Sequence, residues 1–180
     1  MKRGLLGLLV VAGLGAALFA CQPHGPGFRN LPASRTGRVP ADTVLRGEAR
    51  IVDGDTLDVA GRRIRLFGVD APEHAQTCTR ARASYPCGEE ARAALRRMVA
   101  GEEISCRVRD NDRYGRLVAV CFAGGRDVNE ALVEQGWAVA YRTYSTAYVA
   151  AEDRAREGRK GIWAGNFERP QDWRRRHNPR

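Results

Sequence analysis

Three carboxylates and a guanidinium, Asp55, Asp70, Glu73 and Arg65, lie in a stretch reading Val-Asp-Gly-Asp-Thr-Leu … Ile-Arg-Leu-Phe-Gly-Val-Asp-Ala-Pro-Glu. A second arginine, Arg116, closes the fragment Asp112-Arg113-Tyr114-Gly115-Arg116. Carboxylates without accompanying histidines suit a hard cation such as calcium. Two arginines suit a phosphate, to which each can donate paired hydrogen bonds. Together they point to metal-assisted cleavage of a phosphodiester, whose negative oxygens must be neutralised while water is activated and held in line. Asp53 competes with Asp55 for the ligand role, but its place before Gly54 fits a turn residue better. Glu73 follows Ala71-Pro72, and a proline stiffens the backbone before a general base. Singly, each residue has a plainer reading: a solvated loop glutamate, an exposed strand arginine, an Arg116 that merely pairs with Asp112. Only the combination carries the inference.

Short strands must position these groups. Ala49 to Val52 leads into Asp53-Gly54, a hairpin-turn dipeptide, and then into Thr56 to Val59. Ala60-Gly61 reverses the chain into Arg62 to Phe67, where Ile64 and Leu66 share one face and Arg63 and Arg65 the other. Glu89 to Val99 has helical spacing, with Gly101 to end it. Ile104, Cys106 and Val108 alternate as a fourth strand, and Arg116 to Phe122 forms a fifth. Asp127 can cap a helix to Gln135, and Ser145 one from about Thr146 to Glu157. The expected fold is α+β, a five-stranded OB-fold β-barrel with three α-helices.

At this point the chain resembles the staphylococcal nuclease (thermonuclease) family over roughly Val44 to Trp163. The resemblance rests on Asp-Gly-Asp-Thr, Arg-x-x-x-Val-Asp-x-Pro-Glu, Asp-Arg-Tyr-Gly-Arg and Val-Asn-Glu-Ala-Leu-Val-x-Gln-Gly, in this order. It implies that Asp55 and Asp70 are calcium ligands, joined by the backbone carbonyl of Ala71, where the family's type member has a threonine. It implies that Glu73 activates or orients the attacking water, and that Arg65 and Arg116 bind the phosphate and stabilise the pentavalent transition state. Tyr114 and Tyr141 resemble the tyrosines lining the nucleotide pocket, although the alignment at Tyr141 needs a gap. The implied activity is calcium-dependent hydrolysis of DNA or RNA, preferably single-stranded, to 3′-phosphate products. A non-catalytic OB-fold nucleic-acid-binding envelope protein is the alternative. Two cysteines after Glu73 depart from the type member, and Cys106 and Cys121 replace aliphatic core residues.

The remaining features concern where the protein works. A length of 180 residues fits one domain with appendages. The net charge of +9 is carried by arginine almost throughout, which fits a nucleic-acid partner or a general arginine bias equally well. Residues 1–20 have the design of a signal peptide, with Lys2 and Arg3 before an apolar run from Leu5 to Phe19. Leu18-Phe19-Ala20-Cys21 resembles a lipobox, making Cys21 the candidate for lipidation and membrane attachment. An uncleaved anchor and a secreted product are the other options, and all three place the domain outside the cytoplasm; a monomer is expected. Residues 21–43 read as a proline-containing tether, 44–165 as the nuclease domain and 166–180 as a basic tail. Setting Cys21 aside leaves Cys78, Cys87, Cys106 and Cys121, which allow three pairings. The local one, Cys78–Cys87 with Cys106–Cys121, is preferred in an oxidising compartment.

Overall fold

In the computed structural model, which describes residues 38–177, β1 (Val44–Gly47) and β2 (Ala49–Asp53) are two halves of one bent strand separated by Glu48. Gly47 sits at the bend with φ of 150°, a conformation open to glycine because it lacks Cβ. β3 (Thr56–Val59) and β4 (Arg62–Leu66) extend the meander, and β5 (Val69–Asp70) follows directly. A hairpin of β6 (Cys78–Arg80) and β7 (Ala83–Tyr85) precedes α1 (Cys87–Val99). β8 (Ile104–Asn111) and β9 (Leu117–Ala123) form the longest antiparallel pair. β10 (Arg126–Asp127) leads into α2 (Val128–Glu134), and β11 (Val139–Ala140) pairs with β5. α3 (Val149–Glu157), a 3-10 turn at Gly161–Ala164 and α4 (Pro170–His177) complete the described chain.

The main sheet runs β1-β8-β9-β4-β3-β2, with β4 and β9 parallel. Its two ends are consecutive in the chain, so the bend at Glu48 joins them in the manner of an OB-fold. Alternation does the rest. Leu57, Ile64, Leu66, Ile104, Val108, Leu117 and Ala119 turn inward and meet Ala91 and Leu95 of α1 and Leu132 of α2. Cys106 and Cys121 face each other across β8 and β9 and are disulfide-bonded, as are Cys78 and Cys87. Both preferred pairings are therefore present. Asn129, fully buried on α2, ties the sheet to the helix layer: its amide donates to Phe67 and Ala119 carbonyls and accepts from the Cys121 N–H.

Several expectations need correction. There are four α-helices among the described residues, not three, because the segment read as a basic tail contains α4. Ser145 accepts from the Ala147 N–H at 3.1 Å and shapes a turn instead of capping a helix; α3 begins at Val149, once Tyr148 is buried with its hydroxyl on Asp127. Asp127 does cap α2, accepting from the Glu130 N–H at 3.0 Å. The end of the stretch read as a tether is hydrogen-bonded to the sheet: Val39 exchanges two bonds with Asn111, and the Asp42 N–H donates to Val108. The signal segment and Cys21 lie outside the described residues.

Candidate active site

Two tight approaches bring the acidic residues together. Asp53 pairs with Thr56 across β2 and β3, so the two-residue turn is Gly54-Asp55, and Asp53 is the last residue of a strand instead of the turn residue expected. Its carboxylate still accepts from the Gly54 N–H at 2.8 Å. A Cβ on Gly54 would lie 2.8 Å from the Ala71 methyl and 3.1 Å from that of Ala91, so the turn packs directly on β5's exit and on α1. Gly88, in the first turn of α1, approaches the Glu73 backbone so closely that a Cβ there would sit 1.9 Å from its carbonyl oxygen. One helix thus sets the depth of both acidic loops. Gln76, fully buried, accepts from the Glu73 N–H, donates through its backbone to the Glu73 carbonyl and donates its side-chain amide to the Glu168 carbonyl.

The resulting cluster is a chain of charge-assisted bonds. Asp55, 4 % exposed, accepts from Thr56 Oγ1 at 3.0 Å, Arg65 Nη1 at 3.0 Å and the Ala71 N–H at 3.1 Å. Arg65 Nη2 donates to Asp70 Oδ1 at 2.8 Å. Asp70, 1 % exposed, also receives Arg174 Nη1 at 2.9 Å and Nη2 at 3.0 Å, one on each oxygen. Arg174 Nη1 continues to Glu73 Oε1 at 2.6 Å. Burial pushes the Asp70 carboxyl above the usual carboxylate range, with Asp55 adding to the shift while Arg174 and Arg65 oppose it. Burial and the neighbouring Asp55 likewise raise Asp53. Burial works against the Arg65 charge, but Asp55 and Asp70 outweigh it and hold its pKa above the ordinary arginine value.

Arg65 bridges Asp55 and Asp70, Arg174 bridges Asp70 and Glu73, and the half-buried Asp53 stands beside Asp55, so carboxylates outnumber guanidiniums in an oxygen-only set. That donor chemistry fits a hard divalent cation. Asp55 and Asp70 would hold it, with Glu73 at the rim. Among the described residues no group of three or more His, Cys, Asp or Glu is gathered as a ligand cage, so backbone and water oxygens must complete any coordination. His74 is not part of the set; its Nε2 lies 3.0 Å from Glu89.

Strand register places the other expected residues relative to this centre. Leu117 stands opposite Ile64 in the parallel β4–β9 pair, both pointing into the core, which puts Arg116 on the same outer face as Arg65. Its Nε donates to Asp112 Oδ2 at 2.7 Å. Tyr114, 65 % exposed, lies under the Arg113 and Arg116 guanidiniums at 4.8 and 5.5 Å. Tyr141 follows β11, whose register sets Val139 opposite Asp70; its N–H donates to Gly68 and its ring meets Tyr144 edge-on at 4.9 Å. Sequence reading missed Gln76 and Arg174. Nothing in the run Arg174-Arg175-Arg176 distinguishes the one arginine that turns inward.

Comparison with known proteins bears on this geometry. The family model described as staphylococcal nuclease homologue matches residues 63–165, more than half of the chain. The chain belongs to that family. The micrococcal nuclease of Shigella flexneri is 36% identical over 156 residues, covering 76% of this chain and 84% of that protein. The succinoglycan biosynthesis protein ExoI of Rhizobium meliloti is 43% identical over 121 residues, 65% of this chain and 63% of its own length. A probable staphylococcal-like nuclease, CAN1, of Oryza sativa subsp. japonica is 40% identical over 116 residues, 63% of this chain. The chain spans 32% of that rice protein, so of these last two it covers less than two thirds. Arg65, Asp70, Glu73 and Arg116 fall inside the family match, whereas α4 and Arg174 lie beyond it.

Proposed function

We propose that this chain is an exported, calcium-dependent nuclease that hydrolyses DNA or RNA, preferably single-stranded, to 3′-phosphate products. The observation that carries the reading is the buried Asp55–Arg65–Asp70 array with Glu73 beside it, in a chain of this family. Calcium bound by Asp55, Asp70 and the Ala71 carbonyl would supply positive charge to the scissile phosphate.

The protein's own groups do the rest. Arg65 is held in place by Asp55 and Asp70 and offers its remaining face to a phosphate oxygen. Arg116 approaches from the adjacent strand on the same sheet face and leaves Asp112 to take a second oxygen. Glu73 accepts a proton from water as the water oxygen bonds to phosphorus; the bond to the 5′ oxygen breaks, that oxygen takes a proton from solvent water, and Glu73 returns its own proton to solvent. Tyr114 and Tyr141 flank the nucleotide. Unpaired strands suit such a site because their bases reach the aromatic rim without melting a duplex.

The exported state rests on the signal-like segment and Cys21, with lipidation anchoring a monomer to a membrane of the cell envelope. Mass measurement of the mature protein checks the lipidation: an unmodified Cys21 would refute it, and cell fractionation that finds the protein in the cytoplasm would refute export. The activity is tested by incubating purified protein with single-stranded DNA in calcium or in chelator and identifying the termini. Cleavage that needs calcium and leaves 3′-phosphates is expected. Binding that persists in chelator with no product would instead mark a nucleic-acid-binding module.

A further inference from the structure

Past Pro170 the last helix makes its polar bonds to the protein before residue 168 through one charged side chain, among the described residues. Arg175 pairs with Asp172, Arg176 with Glu168, and His177 stacks on Trp173, all within residues 168–177. Among the described residues, Arg174 alone carries polar bonds from α4 to the remainder of the protein, and all of them go to Asp70 and Glu73. The segment leading to α4 is fastened separately. Asn166 exchanges backbone bonds with Thr79, the Glu168 carbonyl accepts from Gln76, and Arg169 reaches the buried Glu152 at 3.2 Å. Withdrawal of Arg174 therefore breaks none of the anchors before Pro170.

Arg174 occupies both oxygens of Asp70 and an oxygen of Glu73. A divalent cation at Asp70 would need the same lone pairs and would repel the guanidinium beside it. The Glu73 oxygen tied to Arg174 is likewise unavailable to a water proton. With both terminal nitrogens committed to carboxylates, Arg174 is not presented to a substrate phosphate.

We propose that Arg174 is a built-in competitor of the metal: α4 closes the site by occupying Asp70 and Glu73, and cation binding requires Arg174 to withdraw. The inference rests on the reading that Asp70 takes the cation. Closure lowers apparent affinity by the fraction of molecules that are open, so a helix closed in nine of ten molecules weakens binding about tenfold.

Calorimetric titration of calcium into the full chain tests it, comparing the native protein with Arg174→Ala, Arg174→Lys and Arg175→Ala. Arg174→Ala is expected to bind calcium about tenfold more tightly, Arg174→Lys to fall between, and Arg175→Ala to match the native protein. In parallel, calcium should raise the melting temperature of Arg174→Ala more than that of the native protein, and circular dichroism confirms that each variant is folded. Equal or weaker binding by folded Arg174→Ala overturns competition while leaving the cation reading intact. Binding by none of the proteins overturns both.

Discussion

Asp55 accepts three hydrogen bonds while 4 % exposed, so its charge is compensated by fixed neighbours and not by water. Arg65 is the charged donor among them, and it serves Asp70 at the same time. Arg65→Ala should therefore lose both activity and stability, the latter by about 3–5 kcal/mol, as when one member of a buried ion pair is removed. Arg116 separates the two effects. Its partner Asp112 keeps the backbone N–H groups of Tyr114 and Arg116 when the side chain is gone. Arg116→Ala should lower cleavage about 10²–10³-fold, the usual effect of deleting one transition-state donor, while chemical denaturation shows a loss of at most about 1 kcal/mol. A large loss of stability would show that Arg116 is structural. The types and spacing of Asp55, Arg65, Asp70 and Glu73 made this centre legible before any geometry, because carboxylates at strand ends converge wherever the strands do. Arg174 was not legible: its neighbours Arg175 and Arg176 are the same residue type, and only the docking of α4 separates them.

α1 carries the positional burden at the scale of elements. Gly88→Ala would drive a methyl into the Glu73 carbonyl, and the helix or the acidic loop must shift. A destabilisation of about 1–3 kcal/mol, typical of overpacking, is expected with a fall in the cleavage rate, both measurable on one preparation. Unchanged activity would mean that Glu73 does not depend on this approach. On the outer face of the meander, burial pushes Asp58 up, but Arg63 and Arg50, which donate to it, outweigh this and hold its carboxyl below its ordinary value of 3.8. Because the unfolded chain then binds the proton more readily, Asp58 stabilises the fold fully above about pH 4–5 and loses that contribution as pH falls through the depressed value. Asp58→Asn should cost about 0.5 kcal/mol at neutral pH, the scale of solvent-screened pairs, with the difference vanishing in acid. A constant difference at all pH values would refute it. The long alternating strands were readable because period-two burial writes itself into β8 and β9. The β6–β7 hairpin and the β5–β11 pair were not, since two- and three-residue strands leave no periodic trace, and β5 and β11 are in addition far apart along the chain.

At the scale of the whole molecule, the two disulfides fasten different things. Cys106–Cys121 joins the paired strands β8 and β9 of the main sheet, and Cys78–Cys87 ties the β6–β7 hairpin to the start of α1, beside the Glu73 loop. Replacing either pair by serine should cost about 3 kcal/mol on a chain-entropy basis. Only the Cys78–Cys87 replacement should also impair cleavage in protein that remains folded, because only that bond lies next to the acidic loop. The overall OB-fold plan followed from strand order and from one helix between the third and fourth long strands. Its bent first strand and its docked fourth helix follow from long-range packing that no local pattern encodes. All of this scaffolding serves one arrangement, Glu73 beside the buried Asp55–Arg65–Asp70 array. The rate of single-stranded DNA cleavage in saturating calcium by native protein and by Glu73→Gln tests that arrangement most directly. The expected result is a loss of about 10²–10⁴-fold on removing the general base with the fold intact; a native rate in folded Glu73→Gln would contradict it.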